Sequence, residues 1–375
     1  MVQKIIFKIS KFLYYKFAYK LENEERRINN LLIIKNNFEQ KCKIENEALI
    51  SLKFLFNGLS LNCFDIGGAN DLQPHWKKIQ EFATFYIFEP DLRSYNELKS
   101  KNQNNTNFKF YNCALGQFNE TRPFYLYNEK TGSTMYKFKK NHIPDYSNKY
   151  IYPINEIKIK TISLDSFINE HEINYIDVIK LDVQGAELEI LKGLSDENIW
   201  NKIFCVELEV NFQDVYEGSS TFEEVKSFFV EKDFVLFDLR ICRTFDFNIE
   251  TKNQLFEKYF NTLNPIPSIS AKIWEADNIY IRDLNWVLKN IVEIVELKKY
   301  LIILITYNFY YDAIKTIIEW FKLNSENYEI KDELLSSVLK IHNSNRVNLT
   351  NFENYLSSVD YKIWAQYMEV NFPNN

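Results

Sequence analysis

The sequence predicts a doubly wound, mostly parallel α/β sheet of seven strands, with helical N- and C-terminal extensions. Short apolar runs recur through the middle of the chain at LNCFDI (61–66), TFYIFE (84–89), FKFYNC (108–113), IDVIKLD (176–182) and IFCVELE (203–209). Helix-patterned stretches, Trp76–Phe82, Asp91–Asn102, Ala186–Leu194 and Phe222–Lys232, lie between or after them. Such alternation makes a parallel sheet with helices on both faces. FVLFDL (234–239) and ADNIYIR (276–282) supply the last two strands, separated by a long loop with Pro265 and Pro267 that is placed to cap a site.

The flanks read differently. Residues 1–57 carry two helical patterns and form an N-terminal arm, residues 58–285 hold the sheet, and residues 286–375 turn helical again as a C-terminal subdomain. In that subdomain the apolar run Tyr300–Tyr311 is too short to span a bilayer and reads as one buried core helix. The stretch from about 117 to 165 does not fit a simple crossover; its alternation in EIKIKTI (156–162) predicts an insertion with one or two short strands.

Composition narrows the function classes. Apolar residues make up 46% and charged residues 26%, ordinary usage for a globular protein of 375 residues. A net charge of -6 provides no basic footprint, so nucleic acid is not expected as the ligand. The five cysteines show no metal-ligand or CxxC spacing and point to a reducing, cytoplasmic setting. Residues 1–21 place Lys4, Lys8, Lys11, Lys16 and Lys20 among aromatic and aliphatic residues, which fits neither a signal peptide nor a membrane span. They form either a helix packed on the core or an interfacial helix at the inner face of a membrane.

The chemistry-bearing residues fall at strand ends. The first strand runs into Asp65-Ile66-Gly67-Gly68-Ala69-Asn70, a glycine turn where backbone can approach a ligand, although a glycine pair also serves in a plain tight turn. Glu89 ends the next strand, where a carboxylate can accept both hydroxyls of a ribose. A nicotinamide dinucleotide would use the same acid, but its diphosphate prefers G-x-G-x-x-G, and Asp65 and Asp71 would repel it. A cationic sulfonium with an amino-acid tail suits the turn better. Asn112, Cys113 and Ala114 end the third strand where an adenine ring would lie, with Asn112 either bonding its edge or closing a turn.

The run Lys180-Leu181-Asp182-Val183-Gln184-Gly185-Ala186-Glu187 is the most informative. Alternation puts Lys180 and Asp182 on one face of their strand. Lys180 is costly in so apolar a strand unless paired with Asp182, Glu187 or Glu207. Asp182 itself is read either as a helix N-cap or as a site carboxylate. Of the histidines, His75 is expected to pack in the first crossover, whereas His142 lies in the insertion as a candidate base. No complete metal-ligand set is readable, although Asp182, Glu187 and Glu207 are oxygen donors of the kind magnesium takes.

KLDVQGAELEILKG (180–193), with DIGGAN (65–70), FEPD (88–91), GST (132–134) and TISLDSF (161–167) in the same order, resembles the FkbM methyltransferase family over about residues 58–283. A further glycine that many members carry after the Asn is replaced here by Asp71 and Leu72. The resemblance implies a Rossmann-like fold binding S-adenosyl-L-methionine. Gly67, Gly68 and Asn70 would surround its methionine part with Asp65 supporting the turn, Glu89 would hold the ribose, and Asn112, Cys113 and Ala114 the adenine. Asp182 would take the proton of an acceptor hydroxyl, with Glu187 or Glu207 orienting it and Lys180 paired with these carboxylates. The acceptor implied is a small molecule or a glycan. The rival expectation is a catalytically silent cofactor-binding or scaffold protein of the same fold.

Overall fold

The computed structural model describes residues 40–69, 72–139, 152–244, 272–324 and 330–358. A helix over 40–56 (α1) leads into strand β1 (Leu61–Ile66). A 3-10 turn (Trp76–Lys78) connects it to β2 (Ala83–Phe88), and helix α2 (Leu92–Lys101) connects β2 to β3 (Phe108–Tyr111). Asp91 starts α2 by accepting the Arg93 N–H, as a short polar side chain does at a helix N-cap.

The insertion forms a small sheet of β4 (Ala114–Gly116), β5 (Thr121–Tyr127) and β6 (Pro153–Ser163) in the order β4-β6-β5. The chain then continues through α3 (Leu164–Glu170), β7 (Val178–Leu181), α4 (Glu187–Lys192), α5 (Glu197–Trp200) and β8 (Cys205–Asn211). Helix α6 (Phe222–Glu231), begun by a reciprocal Thr221–Glu224 capping box, precedes the long strands β9 (Phe234–Thr244) and β10 (Lys272–Arg282). Four helices follow: α7 (Leu284–Asn290), α8 (Ile294–Thr306), α9 (Tyr310–Leu323) and α10 (Lys331–Ser358).

The main sheet has seven strands in the order β3-β2-β1-β7-β8-β10-β9. The first five are parallel, and β10 is antiparallel to both β8 and β9. Strand order reverses beside β1, so the crevice at its carboxyl end, between the outgoing connections of β1 and β7, is where such sheets bind ligands.

Two apolar layers cover this sheet. On one face Phe64, Ile179, Leu181, Val206 and Leu208 pack with side chains of α3 to α6. On the other, Cys63, Phe85, Val178, Cys205 and Ile279 pack with Leu297, Tyr300, Leu301, Leu304, Ile317 and Trp320 of the last helices. The expected crossover helix over Trp76–Phe82 is absent: only the 3-10 turn forms there, and α1 with α7 to α10 covers the face it would have shielded.

The run Tyr300–Tyr311 also departs from expectation. It is split after Thr306, because Asn308 adopts φ 69, and a new helix starts at Tyr310. The loop with Pro265 and Pro267 and the arm's residues 1–39 lie outside the described residues. No helix among the described residues is long and apolar enough to cross a membrane.

Because Leu301 is fully buried at the sheet interface and Tyr311 is 76% exposed on the neighbouring helix, the layer makes a direct prediction. In denaturant titrations Leu301→Ala is expected to lose about 2–5 kcal/mol and Tyr311→Ala less than about 0.5 kcal/mol. Equal losses would contradict a load-carrying C-terminal layer.

Candidate active site

The site grows from where β1 and β7 end side by side. Asp182 N–H donates to the Ile66 carbonyl (2.9 Å), and both Gly67 and Gly68 N–H groups donate to the Phe88 carbonyl (3.0 and 3.2 Å). Gly67 has φ 86, and a Cβ there would lie 1.9 Å from the Asp182 carbonyl oxygen. Only glycine lets the two strand tips close this tightly. A Cβ on Gly68 would meet Ile87 at 2.6 Å. Gly67 and Gly68 thus sit where protein backbone and side chains crowd the strand tips, while Asn70 lies outside the described residues.

Beneath the turn runs a row of buried charges set by strand register. Asp65 is level with Lys180, and Lys180 with Glu207, on three adjacent parallel strands. The Lys180 ammonium lies 3.4 Å from Asp65 and 3.6 Å from Asp182, with its side chain 6% exposed. Burial alone would lower its pKa, but the charges of Asp65, Asp182 and Glu207 outweigh that and hold it raised. Lys180 is thus paired with Asp182, one of its three candidates, and with Asp65; it makes no ion pair with Glu187 or Glu207.

Glu207 faces a different set of partners. His75 Nε2 (3.0 Å) and the Tyr307 hydroxyl (2.8 Å) both meet its Oε2, and Arg240 approaches Oε1 at 3.4 Å. Burial pushes Glu207 up, yet the His75 and Tyr307 hydrogen bonds and the nearby Lys180 hold it below its ordinary value. Glu187 is likewise occupied: its carboxylate accepts the N–H groups of Val183 (3.0 Å) and Gly185 (3.0 Å), folding back on the turn that precedes α4. Burial lifts its pKa to about 7. Neither Glu187 nor Glu207 touches the Asp182 side chain, so the expectation that one of them orients it is corrected. That contact belongs to Gln184, whose Nε2 donates to Asp182 Oδ1 at 3.1 Å and to Glu209 Oε1 at 3.0 Å.

Asp182 caps no helix. The residue at the start of α4 is Ala186, without a side-chain cap, and the Asp182 carboxylate stands 32% exposed at the crevice. With Gly67, Glu89, Cys113 and Ala114 it lines one cleft, whose apolar wall includes Phe88, Leu115 and Met135. Glu89 is 5% exposed and accepts the Asp91 N–H at 2.7 Å. Burial raises its pKa to about 8, with Asp91, Asp65 and Asp182 adding to the shift. Asn112 departs from expectation: its amide donates to the Glu89 and Pro90 carbonyls, at 2.9 and 3.2 Å, and so braces the end of β2 instead of presenting an edge to a ring.

These features fit S-adenosylmethionine on their chemistry. Gly67, the buried Glu89 carboxyl and the wall around Cys113 to Leu115 meet in one cleft, the kinds of group that would take its amino-acid tail, ribose diol and flat base. Among the described residues no group of three or more His, Cys, Asp or Glu side chains is arranged to hold a metal, and the carboxylates of Asp182, Glu187 and Glu207 do not converge. His75 packs as expected, whereas His142 lies outside the described residues. Sequence reasoning missed Gln184, Tyr216 and Tyr307. Gln184 announces itself only by φ 58, which a sequence does not show, and Tyr307 is distant in the chain.

The glycine requirement can be tested against a control. Gly67→Ala meets both a left-handed backbone and the Asp182 carbonyl, while Gly218→Ala has φ 82 but open space around its Cβ. The control is expected to lose about 1–2 kcal/mol of unfolding free energy and Gly67→Ala clearly more, measured by thermal or urea denaturation.

Comparison with known proteins gives the same reading of residues 65–236, which match the family model described as the methyltransferase FkbM domain. Methyltransferase 1 of Beauveria bassiana (strain ARSEF 2860) is 25% identical over 159 residues, 40% of this chain and 64% of that protein. The 2-O-methyltransferase NoeI of Sinorhizobium fredii (strain NBRC 101917 / NGR234) is 25% identical over 166 residues, 43% of this chain and 65% of that protein. The chain thus spans a little under two thirds of the length of these curated relatives. Among solved structures, magnesium protoporphyrin IX methyltransferase (ChlM) from Synechocystis PCC 6803 with bound SAM aligns at 8% identity and a TM-score of 0.30, covering 65% of this chain and 80% of that one. M. capricolum TrmK with S-adenosyl-homocysteine aligns at 11% identity and a TM-score of 0.28, covering 81% and 97%. The segment that matches the FkbM methyltransferase domain begins at Asp65 under the glycine turn and takes in Glu89, Lys180, Asp182 and Glu207.

Proposed function

We propose that this chain transfers a methyl group from S-adenosylmethionine to a hydroxyl oxygen, and that the acceptor is a sugar hydroxyl on a glycan or a specialised metabolite. S-adenosylmethionine is the cofactor of this domain. The observation that carries the reading is the meeting of Gly67, Glu89 and Asp182 in one cleft at the switch in strand order. The name of the NoeI relative, a 2-O-methyltransferase, supports oxygen as the accepting atom. The working unit in this reading is residues 58–285 together with the C-terminal helices that complete its core.

When bound, S-adenosylmethionine supplies a methyl group already activated on a sulfonium. The chain's own residues then do three things. Gly67 and Gly68 allow the backbone to reach the amino-acid part, Glu89 accepts the ribose hydroxyls, and the cleft wall excludes water. Asp182, the half-exposed carboxylate of the cluster, receives the acceptor's proton as the new C–O bond forms. Lys180 stands 3.6 Å from it, and Gln184 donates to its Oδ1 from the other side at 3.1 Å. Alignment of acceptor and donor is the main contribution to rate, on the order of 7–11 kcal/mol at best.

Two measurements test this. In calorimetry the wild type is expected to bind S-adenosylmethionine, and Glu89→Ala to bind at least tenfold more weakly. Since burial keeps Glu89 protonated up to about pH 8 in the free protein and the diol selects its carboxylate, binding expels a proton. Affinity is therefore expected to rise with pH, by up to about tenfold per unit, and to level off above the Glu89 pKa; Glu89→Gln should flatten this profile. No binding to a well-folded wild type would falsify the methyltransferase reading. Separately, Asp182→Asn is expected to keep cofactor affinity within about fivefold while lowering methyl transfer to sugar acceptors by about 100-fold or more. An unchanged rate would remove Asp182 as the proton acceptor.

A further inference from the structure

The turn between α8 and α9 reaches across the sheet face to the residues that follow the glycine turn. Tyr307 is buried there, 3% exposed. Its hydroxyl donates to Glu207 Oε2 (2.8 Å) and accepts the Trp76 indole N–H (3.1 Å), and its ring centroid lies 4.7 Å from that of His75. His75 meets the same Glu207 oxygen at 3.0 Å. One residue further on, Asn308 accepts a hydrogen bond from Lys78 at 3.1 Å. Segment 75–78 is therefore held from both sides, by β8 through Glu207 and by the C-terminal layer through Tyr307 and Asn308.

This clamp sits where the chain has least support of its own. Among the described residues between β1 and β2, only the 3-10 turn at Trp76–Lys78 is regular. The clamp also joins the row of charges under the glycine turn, since Glu207 is level with Lys180, which lies 3.4 Å from Asp65. A methyl group of alanine at Gly68 would be 3.5 Å from that same Asp65 carboxylate. We infer that Tyr307 is a positioning residue of the cofactor site: by joining Trp76 to Glu207 it holds the β1–β2 connection, and with it the glycine turn, in its binding shape. The inference rests on the proposed cofactor only for its binding consequence, because the holding itself is a property of the free protein.

Glu207 faces His75 from the β1–β2 connection, Lys180 from β7, Arg240 from β9, Asp277 from β10, Cys205 from its own strand and Tyr307 from the α8–α9 turn. Losing the Tyr307 donor moves the Glu207 carboxyl upward, so as pH falls it is neutralised earlier in the variant than in the wild type. A purely structural role for Tyr307 would not shift the pH at which Glu207 is neutralised.

The test uses the full chain with Tyr307→Phe, and Tyr300→Phe as control. Tyr300 is buried in the same layer, but its hydroxyl donates to the Arg282 carbonyl (2.6 Å), away from Glu207. Without cofactor, hydrogen exchange in peptides covering 66–78 is expected to be at least fivefold faster in Tyr307→Phe and close to wild type in Tyr300→Phe. With S-adenosylmethionine, Tyr307→Phe is expected to bind at least fivefold more weakly, and in acid titration of the free protein its 66–78 exchange is expected to accelerate at higher pH than in the wild type. Exchange and affinity indistinguishable between the two variants would overturn the inference. If the wild type binds no S-adenosylmethionine, the cofactor reading fails, and the exchange comparison alone still decides whether Tyr307 holds the turn.

Discussion

A central sheet has two apolar faces, and both must be kept from water; that constraint organises this molecule. Helices between strands usually provide both layers. Here α3 to α6 cover one face, but the β1–β2 connection contracts to a 3-10 turn and leaves the other bare beside the most important crevice. The chain meets the requirement with α1 and with α7 to α10, whose buried side chains belong to the same core as Cys63, Phe85 and Val178. Each fully buried Leu or Ile there contributes about 1.5–3 kcal/mol. A layer recruited from the end of the chain also carries its own polar groups to the sheet, and these meet the ions on that face.

Those ions explain why the layer's placement matters to the site. Three carboxylates that are almost wholly buried lie on this face: Asp65 against Lys180, Glu207 among His75, Tyr307 and Arg240, and Asp177 against Lys299 of α8 at 2.9 Å. Taking a charge out of water costs several kcal/mol, recovered only when the remaining lone pairs are satisfied, so such pairs are poor devices for stability alone. Two of the three acids depend on the last helices for a partner. Asp177 anchors α8 at the amino end of β7, where it also accepts the Asn62 N–H at 2.7 Å, whereas Glu207 receives Tyr307 near the carboxyl end of β8. The helices are thus tied at one end for structure and at the other to the charged floor of the crevice.

How far the sequence speaks for itself depends on whether the deciding contact is local. All five parallel strands and the helices Leu92–Lys101, Glu187–Lys192 and Phe222–Glu231 are legible because each carries its own apolar period and end signals. Gly67, Gly68 and Glu89 are legible as strand-end residues because each directly follows an apolar strand run. The missing crossover helix is not: Trp76–Phe82 has a helical pattern, and its failure follows from competition by side chains more than two hundred positions away, Tyr307 among them. Asn112 was read from its position at a strand end, yet backbone carbonyls that only folding brings near it claim its amide. The same holds for Glu187, whose partners are the amides of its own turn, exposed by a left-handed Gln184.

That left-handed residue separates the two halves of the site. A non-glycine residue at φ 58 is strained by roughly 1–2 kcal/mol and persists only where its surroundings over-determine it. Here the Thr134 hydroxyl donates to the Gln184 carbonyl at 2.7 Å, the Tyr216 hydroxyl donates to its side-chain oxygen, and Asp182 and Glu209 share its amide. An ordinary extended residue would carry the chain straight into α4 and leave Asp182 as a cap on the helix. Here the helix starts at Glu187, whose carboxylate accepts the Val183 and Gly185 N–H groups of the turn, and Asp182 stays at the edge of the crevice. On one side of it Lys180 is paired with Asp65; on the other stand Gln184, Glu209 and Tyr216, joined by hydrogen bonds.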